Sequence, residues 1–113
     1  MSLVFAAHPE ASAELDAEVA WYEARDIGLG ARFESVVYRL IDDLLTWPES
    51  GAIWTDAHPT LIVRSYGVPE FPHRVVYAVS GTQLFVVAIA HNKRKPGYWR
   101  DRLNSPFPPP AGH

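Results

Sequence analysis

Residues 73–91 read His-Arg-Val-Val-Tyr-Ala-Val-Ser-Gly-Thr-Gln-Leu-Phe-Val-Val-Ala-Ile-Ala-His, two apolar runs on either side of a small polar break. β-branched and aromatic side chains suit a pleated, buried surface, and a short glycine-containing interruption between two such runs signals a hairpin. The reading is a strand from His73 to Val79, a turn, and a strand from Gln83 to His91. If the turn is two residues, either Ser80-Gly81 or Gly81-Thr82, even positions of the first strand share a face with odd positions of the second. Arg74 and His91 then lie on one side of the sheet, about 13 or 7 Å apart along the strands at ~3.3 Å per residue. A three-residue turn would separate them.

Both registers of this hairpin are apolar: Val76, Ala78, Phe85, Val87 and Ile89 on one, Val75, Tyr77, Val79, Leu84, Val86 and Ala88 on the other. A sheet covered on one face and wet on the other alternates apolar with polar. A partner covering the second face is therefore expected, because residues 52–60 and the segment around Tyr98-Trp99 are too short to shield it fully; a homodimer or loops folding over it are the alternatives.

Working back along the chain, 67–72 is a connection, Leu61 to Tyr66 a strand carrying Arg64, and 52–60 a loop. Pro48 stops the preceding helix, because proline disfavours helical geometry in the residue before it. That helix carries Leu29, Phe33, Val36, Val37, Leu40, Ile41 and Leu44 at helical spacing, and Gly28-Leu29-Gly30 is the turn before it. An earlier helix starts at His8-Pro9-Glu10 and runs to about Arg25, with Ala11, Leu15, Val19 and Tyr22 as its stripe and Glu14, Asp16, Glu18 and Glu23 assigned to its outer side. Leu3 to Ala7 is a short strand, and a short helix falls near Gly97 to Leu103. The order strand, helix, helix, strand, strand, strand predicts an α+β domain with a helical hairpin on one face of a largely antiparallel sheet.

Length and composition agree with one domain, residues 1–103, followed by a Pro-rich flexible tail at 104–113 with four prolines in ten residues. No apolar run reaches the roughly 18–20 residues of a membrane span, and the first residues lack the pattern of a signal peptide, so a cytoplasmic protein is expected. The absence of cysteine removes thiolate chemistry and disulfides. The five histidines show no metal-ligand spacing, and there is neither a phosphate-cradling glycine loop nor a serine elbow. Neither a metal nor a cofactor is called for.

Charge is unevenly placed. Residues 1–50 hold ten acids and three bases, residues 51–113 three acids and seven bases. Lys93, Arg94, Lys95, Arg100 and Arg102 fall within ten residues and flank Tyr98-Trp99, so charge and stacking surface are interleaved as an anionic target would require. The alternative is that Tyr98 and Trp99 pin the chain end to the domain. Arg74 and His91, with Lys93, Arg94 and Tyr98 behind them, could bind a phosphate and move a proton; the plainer alternative is a salt-bridging Arg and a hydrogen-bonded His at strand ends.

Five stretches, in this order, resemble the RelE/ParE superfamily of toxins from type II toxin-antitoxin (plasmid stabilisation) systems. They are Ala-Ser-Ala-Glu-Leu-Asp-Ala-Glu-Val-Ala-Trp-Tyr (11–22), Gly-Leu-Gly-Ala-Arg-Phe (28–33), Trp-Pro-Glu-Ser-Gly (47–51), Phe-Pro-His-Arg-Val-Val-Tyr (71–77) and Ala-His-Asn-Lys-Arg-Lys-Pro-Gly-Tyr-Trp (90–99). The resemblance implies a growth-inhibiting toxin, held in a hetero-oligomer by a cognate antitoxin that lies across the toxin. RelE-like members are ribosome-dependent mRNA endonucleases, and by position Arg64, Arg74, His91 and Tyr98 are the catalytic candidates. ParE-like members poison DNA gyrase by binding, for which Lys93, Arg94, Lys95, Trp99 and Arg100 are the target-contact candidates. Phe85 and Val86 are the expected antitoxin contacts on the uncovered sheet face. One base in strand 61–66 and a net charge of -3 depart from the RelE-like pattern and favour the ParE-like one.

Overall fold

The computed structural model describes residues 3–104, so the tail expected beyond Asn104 lies outside the described residues. Its elements are β1 (Val4–Ala7), α1 (Pro9–Arg25), α2 (Leu29–Thr46), β2 (Ala52–Trp54), β3 (Val63–Gly67), β4 (His73–Ser80) and β5 (Gln83–His91), with 3₁₀ turns at Pro48–Ser50 and Arg100–Leu103. They form one sheet in the order β1-β5-β4-β3-β2, in which β1 runs parallel to β5 and every other pair is antiparallel. This is the expected α+β architecture, with the α1–α2 hairpin on one face. Two details differ from the sequence reading. The loop 52–60 contains β2, and the following strand begins at Val63 rather than Leu61.

Local chemistry explains the helix ends. His8 precedes α1 in extended geometry and its Nδ1 accepts the Glu10 amide at 3.1 Å, while Pro9 takes the first helical position. Gly28, at φ 90°, opens α2 and has no side chain to cap it. The cap comes from the other helix. The Glu23 carboxylate accepts the Gly28 and Gly30 amides at 2.9 and 3.0 Å, and these backbone bonds, Gly28's foremost, hold its carboxyl below the usual 4.5. Glu23→Gln is therefore expected to lower the thermal midpoint at pH 7. A carboxyl with a depressed folded pKa stabilises above its unfolded value and stops doing so as pH falls, so the difference between variant and parent should close below about pH 4.5. A constant difference from pH 7 to pH 3 would reject the charge-based cap.

The main core lies between helices and sheet: Leu15, Phe33, Val37, Ile41 and Leu44 pack against Val75, Tyr77, Leu84, Val86 and Ile89. The Tyr77 hydroxyl, at the edge of this core, donates to the Pro48 carbonyl at 2.6 Å and accepts the Gly51 amide at 2.9 Å, which ties the turn after α2 to the sheet. On the opposite face Val63, Val76, Ala78, Phe85, Val87 and Ala88 are buried beneath Trp54, Ala57, Tyr98, Trp99 and Leu103. The chain itself covers this face, which corrects the expectation of a partner there. Phe85 and Val86 are each 1% exposed, one in each core, which corrects their expected place on an antitoxin-binding surface. Short as they are, residues 52–60 and the segment around Tyr98-Trp99 cover it because two tryptophans, Trp54 and Trp99, meet edge to face over it with centroids 5.2 Å apart.

Candidate functional site

The turn between β4 and β5 is Gly81-Thr82, since Ser80 pairs with Gln83. A two-residue turn alone would have put Arg74 and His91 on one face. The register shifts between Val76 and Tyr77, however: Tyr77 pairs with Val86 but Val76 with Ala88, so Val87 is an extra residue. Val87 and Ala88 consequently both enter the second core, and every later side chain of β5 changes sides. Arg74 opposes Ala90, and His91 opposes His73. The two rings lie 4.8 Å apart, and His73 packs against Tyr22 of α1 and Phe33 of α2. The bulge thus undoes the common sheet face expected for Arg74 and His91, although both side chains still border one cleft at the strand ends.

The bulge leaves backbone groups without a neighbouring strand, because β1 pairs β5 only as far as Val86. Side chains take that place. Arg102 donates through Nη1 to the Val87 carbonyl at 3.0 Å, and the Ile89 amide donates to Glu14 Oε1 at 3.1 Å. Arg102 also binds both Glu14 oxygens at 2.9 Å, and the Tyr98 hydroxyl donates to Glu14 Oε2 at 2.5 Å. One carboxylate thereby joins α1, the bulge and the C-terminal segment. Assigning Glu14 to the outer side of α1 was incorrect, and the signal was present: Ala11, Glu14, Leu15, Glu18, Val19 and Tyr22 follow the spacing of a single helix face.

Beside this clasp is a cleft of about 180 Å³ lined by Trp54, Ser65, Arg74, His91, Arg94, Lys95, Tyr98 and Trp99 among others. Arg74 donates from Nε to the Ser65 hydroxyl at 3.0 Å and from Nη2 to the Ser65 carbonyl at 3.3 Å. The Arg94 guanidinium lies 3.9 Å from the Tyr98 ring centroid. Among the described residues, no carboxylate forms an ion pair with Arg74, Arg94 or Lys95, so the cleft presents uncompensated positive charge. Lys93 and Arg100 are exposed outside its lining.

Several candidates are separated or occupied. Arg64 donates to the Glu49 and Gly51 carbonyls at 3.2 and 3.0 Å and lines a different cavity, of about 350 Å³. Burial, together with the hydrogen bond to Glu14, pushes the Tyr98 hydroxyl well above its ordinary pKa of 10.0. His91 Nδ1 accepts the Lys93 amide at 3.0 Å, which leaves Nε2 as the protonated nitrogen of the neutral ring. Trp99, 2% exposed, is a core residue and cannot stack on a target, which corrects its place among the contact candidates. No three acidic or histidine side chains among the described residues converge as metal ligands, and no described helix is long and apolar enough to cross a membrane.

Against known proteins, neither a protein-family model nor a curated protein matches the chain. Among solved structures, a chain from one described as "Chromosomal ParDE TA system from P. aeruginosa" is similar over 79% of this chain and 95% of its own length, with a TM-score of 0.64 and 20% identical residues. The two chains share a fold. The helical hairpin on one face of a largely antiparallel sheet expected from the sequence is the architecture observed, and the cleft sits on it where β4 begins and β5 ends.

Proposed function

We propose that this protein is the growth-inhibiting toxin of a type II toxin-antitoxin pair, acting on DNA gyrase by binding and restrained by a cognate antitoxin. The fold shared with a chain of a ParDE system supports the toxin reading. The state of the cleft favours binding over catalysis. A nuclease on this surface needs a general base and phosphate-binding cations converging on one scissile bond. Here the Tyr98 hydroxyl keeps its proton and donates to Glu14, Arg64 faces another cavity, and His91, though it borders the same cleft as Arg74, has its Nδ1 taken by the Lys93 amide. The engagement of Tyr98 by Glu14 is the observation that carries the reading. What remains is a fixed array of exposed cations, which suits recognition of an acidic protein surface.

Induced alone in a bacterial host, the chain should arrest growth, with DNA-damage signalling and intact messenger RNA; co-production of the antitoxin should restore growth. Reversing charge at Lys93 and Lys95 together should abolish arrest without moving the thermal midpoint, because both side chains are exposed and hold no ion pair among the described residues. Cleavage within translated messages that disappears in Arg74→Ala would instead establish the nuclease reading.

A further inference from the structure

His73 is a fully buried titratable side chain outside the cleft. Its ring has no exposure, and neither Nδ1 nor Nε2 has a hydrogen-bond partner among the described residues. Buried polar nitrogens are ordinarily paired, and leaving them unpaired is costly, so two orphans on one ring call for an explanation. The ring behaves as an aromatic hydrocarbon. Tyr22 from α1, Phe33 from α2, Phe71 from the β3–β4 connection and His91 from β5 form one cluster of rings around it, with neighbouring centroids 4.8 to 6.1 Å apart.

The titratable and charged groups facing His73 can be named element by element. Glu18 of α1 places Oε1 3.6 Å from Nε2, beyond hydrogen-bond distance but close enough to attract a protonated ring. Tyr22, also on α1, carries a hydroxyl that burial keeps protonated. From β5 comes His91, a second base that repels a charge on His73. From α2 and from the β3–β4 connection the neighbours are Phe33 and Phe71, which carry no charge.

We infer that His73 is an acid-sensitive latch between α1 and the sheet: neutral, it completes the aromatic cluster that holds the second half of α1 down; protonated, it forces that half of the helix to open. The opposing effects have a clear order. Desolvation disfavours the charged ring most and His91 adds to it, while Glu18, partly in solvent, offsets only part, so the ring takes a proton less readily than an ordinary histidine at 6.5. Between that value and the lower folded one, the opened state binds a proton that the closed state refuses. Stability held above pH 6.5 is therefore lost as pH falls below it. The same residue faces His91, at the end of the strand that borders the basic cleft, so opening α1 there alters the support of the cleft itself.

The test uses the full 113-residue chain. Wild type and His73→Phe are unfolded by denaturant from pH 7.5 to pH 5.0. The wild-type unfolding constant should rise with acidity by up to about tenfold more per pH unit than that of the variant, as expected for one proton. Parallel pH profiles would overturn the latch. Should His73→Phe fail to fold, the wild type decides alone. The NMR titration of the His73 ring proton should have a midpoint below 6.5, and amides of residues 18–25 should exchange several-fold faster at pH 5.0, after correction for intrinsic rate, than those at the start of α1. A midpoint at or above 6.5, or uniform exchange along α1, would reject it.

Discussion

Arg102→Ala should destabilise the domain by about 3–5 kcal/mol, the cost of breaking a buried ion pair by removing one partner. The two side chains are 10% and 15% exposed, so solvent cannot replace what is lost. Glu14 would keep the bonds from the Ile89 amide and the Tyr98 hydroxyl but lose both charge-assisted bonds to the guanidinium, and the Val87 carbonyl at the bulge would lose its donor. Arg102→Lys should recover only part of this stability, because an ammonium cannot span both carboxylate oxygens and the carbonyl together. The contribution of the pair itself is a separate quantity. Replacing both members, as in Arg102→Met with Glu14→Leu, should cost far less than the two single substitutions combined, since no charge is then left buried alone. Equilibrium urea unfolding of the four proteins measures the coupling. A loss below about 1 kcal/mol for Arg102→Ala would place the pair with solvent-exposed ion pairs and remove the clasp as the reason the C-terminal segment lies where it does.

This clasp also marks the limit of what could be read beforehand. The strand positions, the helical hairpin and the Pro48 stop were legible because each rests on local geometry: period two, period 3.6, or the fixed φ of proline. The phase of β5 was not. Phe85, Val86, Val87, Ala88 and Ile89 are all buried, and an unbroken apolar run carries no record of which residue faces which side. The bulge at Val87 was therefore invisible, and with it the changed pairing that sets His91 opposite His73 and Arg74 opposite Ala90. β2 escaped notice because Ala52-Ile53-Trp54 is too short to show a period. The density of basic residues at 93–102 identified the neighbourhood of the cleft, and the alternative that Tyr98 and Trp99 pin the chain end describes their positions. Which cations face outward and which one turns inward is decided by Glu14, eighty-eight residues earlier in the chain than Arg102, and pairings across such distances leave no local trace.

Gly30→Ala should destabilise the domain although helix propensity favours it. Gly30 occupies the second position of α2, where alanine would ordinarily improve on glycine by up to about 1 kcal/mol. The packing opposes this. A Cβ at Gly30 would press into the Val19 carbonyl oxygen and stand 2.9 Å from the Glu23 Cβ, both on α1. The first of these is backbone inside a helix and cannot turn away, so the two helices would have to separate at their junction. Overfilling a packed contact costs typically about 1–3 kcal/mol. Separation would also draw the Glu23 carboxylate away from the Gly28 and Gly30 amides, uncapping α2 in the same step. The net expectation is a loss on the order of 1–2 kcal/mol. Gly28→Ala provides the comparison: open space surrounds its Cβ, but φ of 90° strains any L side chain. The two losses should therefore differ in origin. Combined with Glu23→Gln, Gly30→Ala should cost less than the sum of the single changes, because both break one cap, whereas the backbone strain of Gly28→Ala should add to a core substitution such as Val37→Ala across the hairpin. A raised thermal midpoint for Gly30→Ala would mean that helix propensity outweighs the contact, and that α1 and α2 cross loosely enough to admit a methyl group.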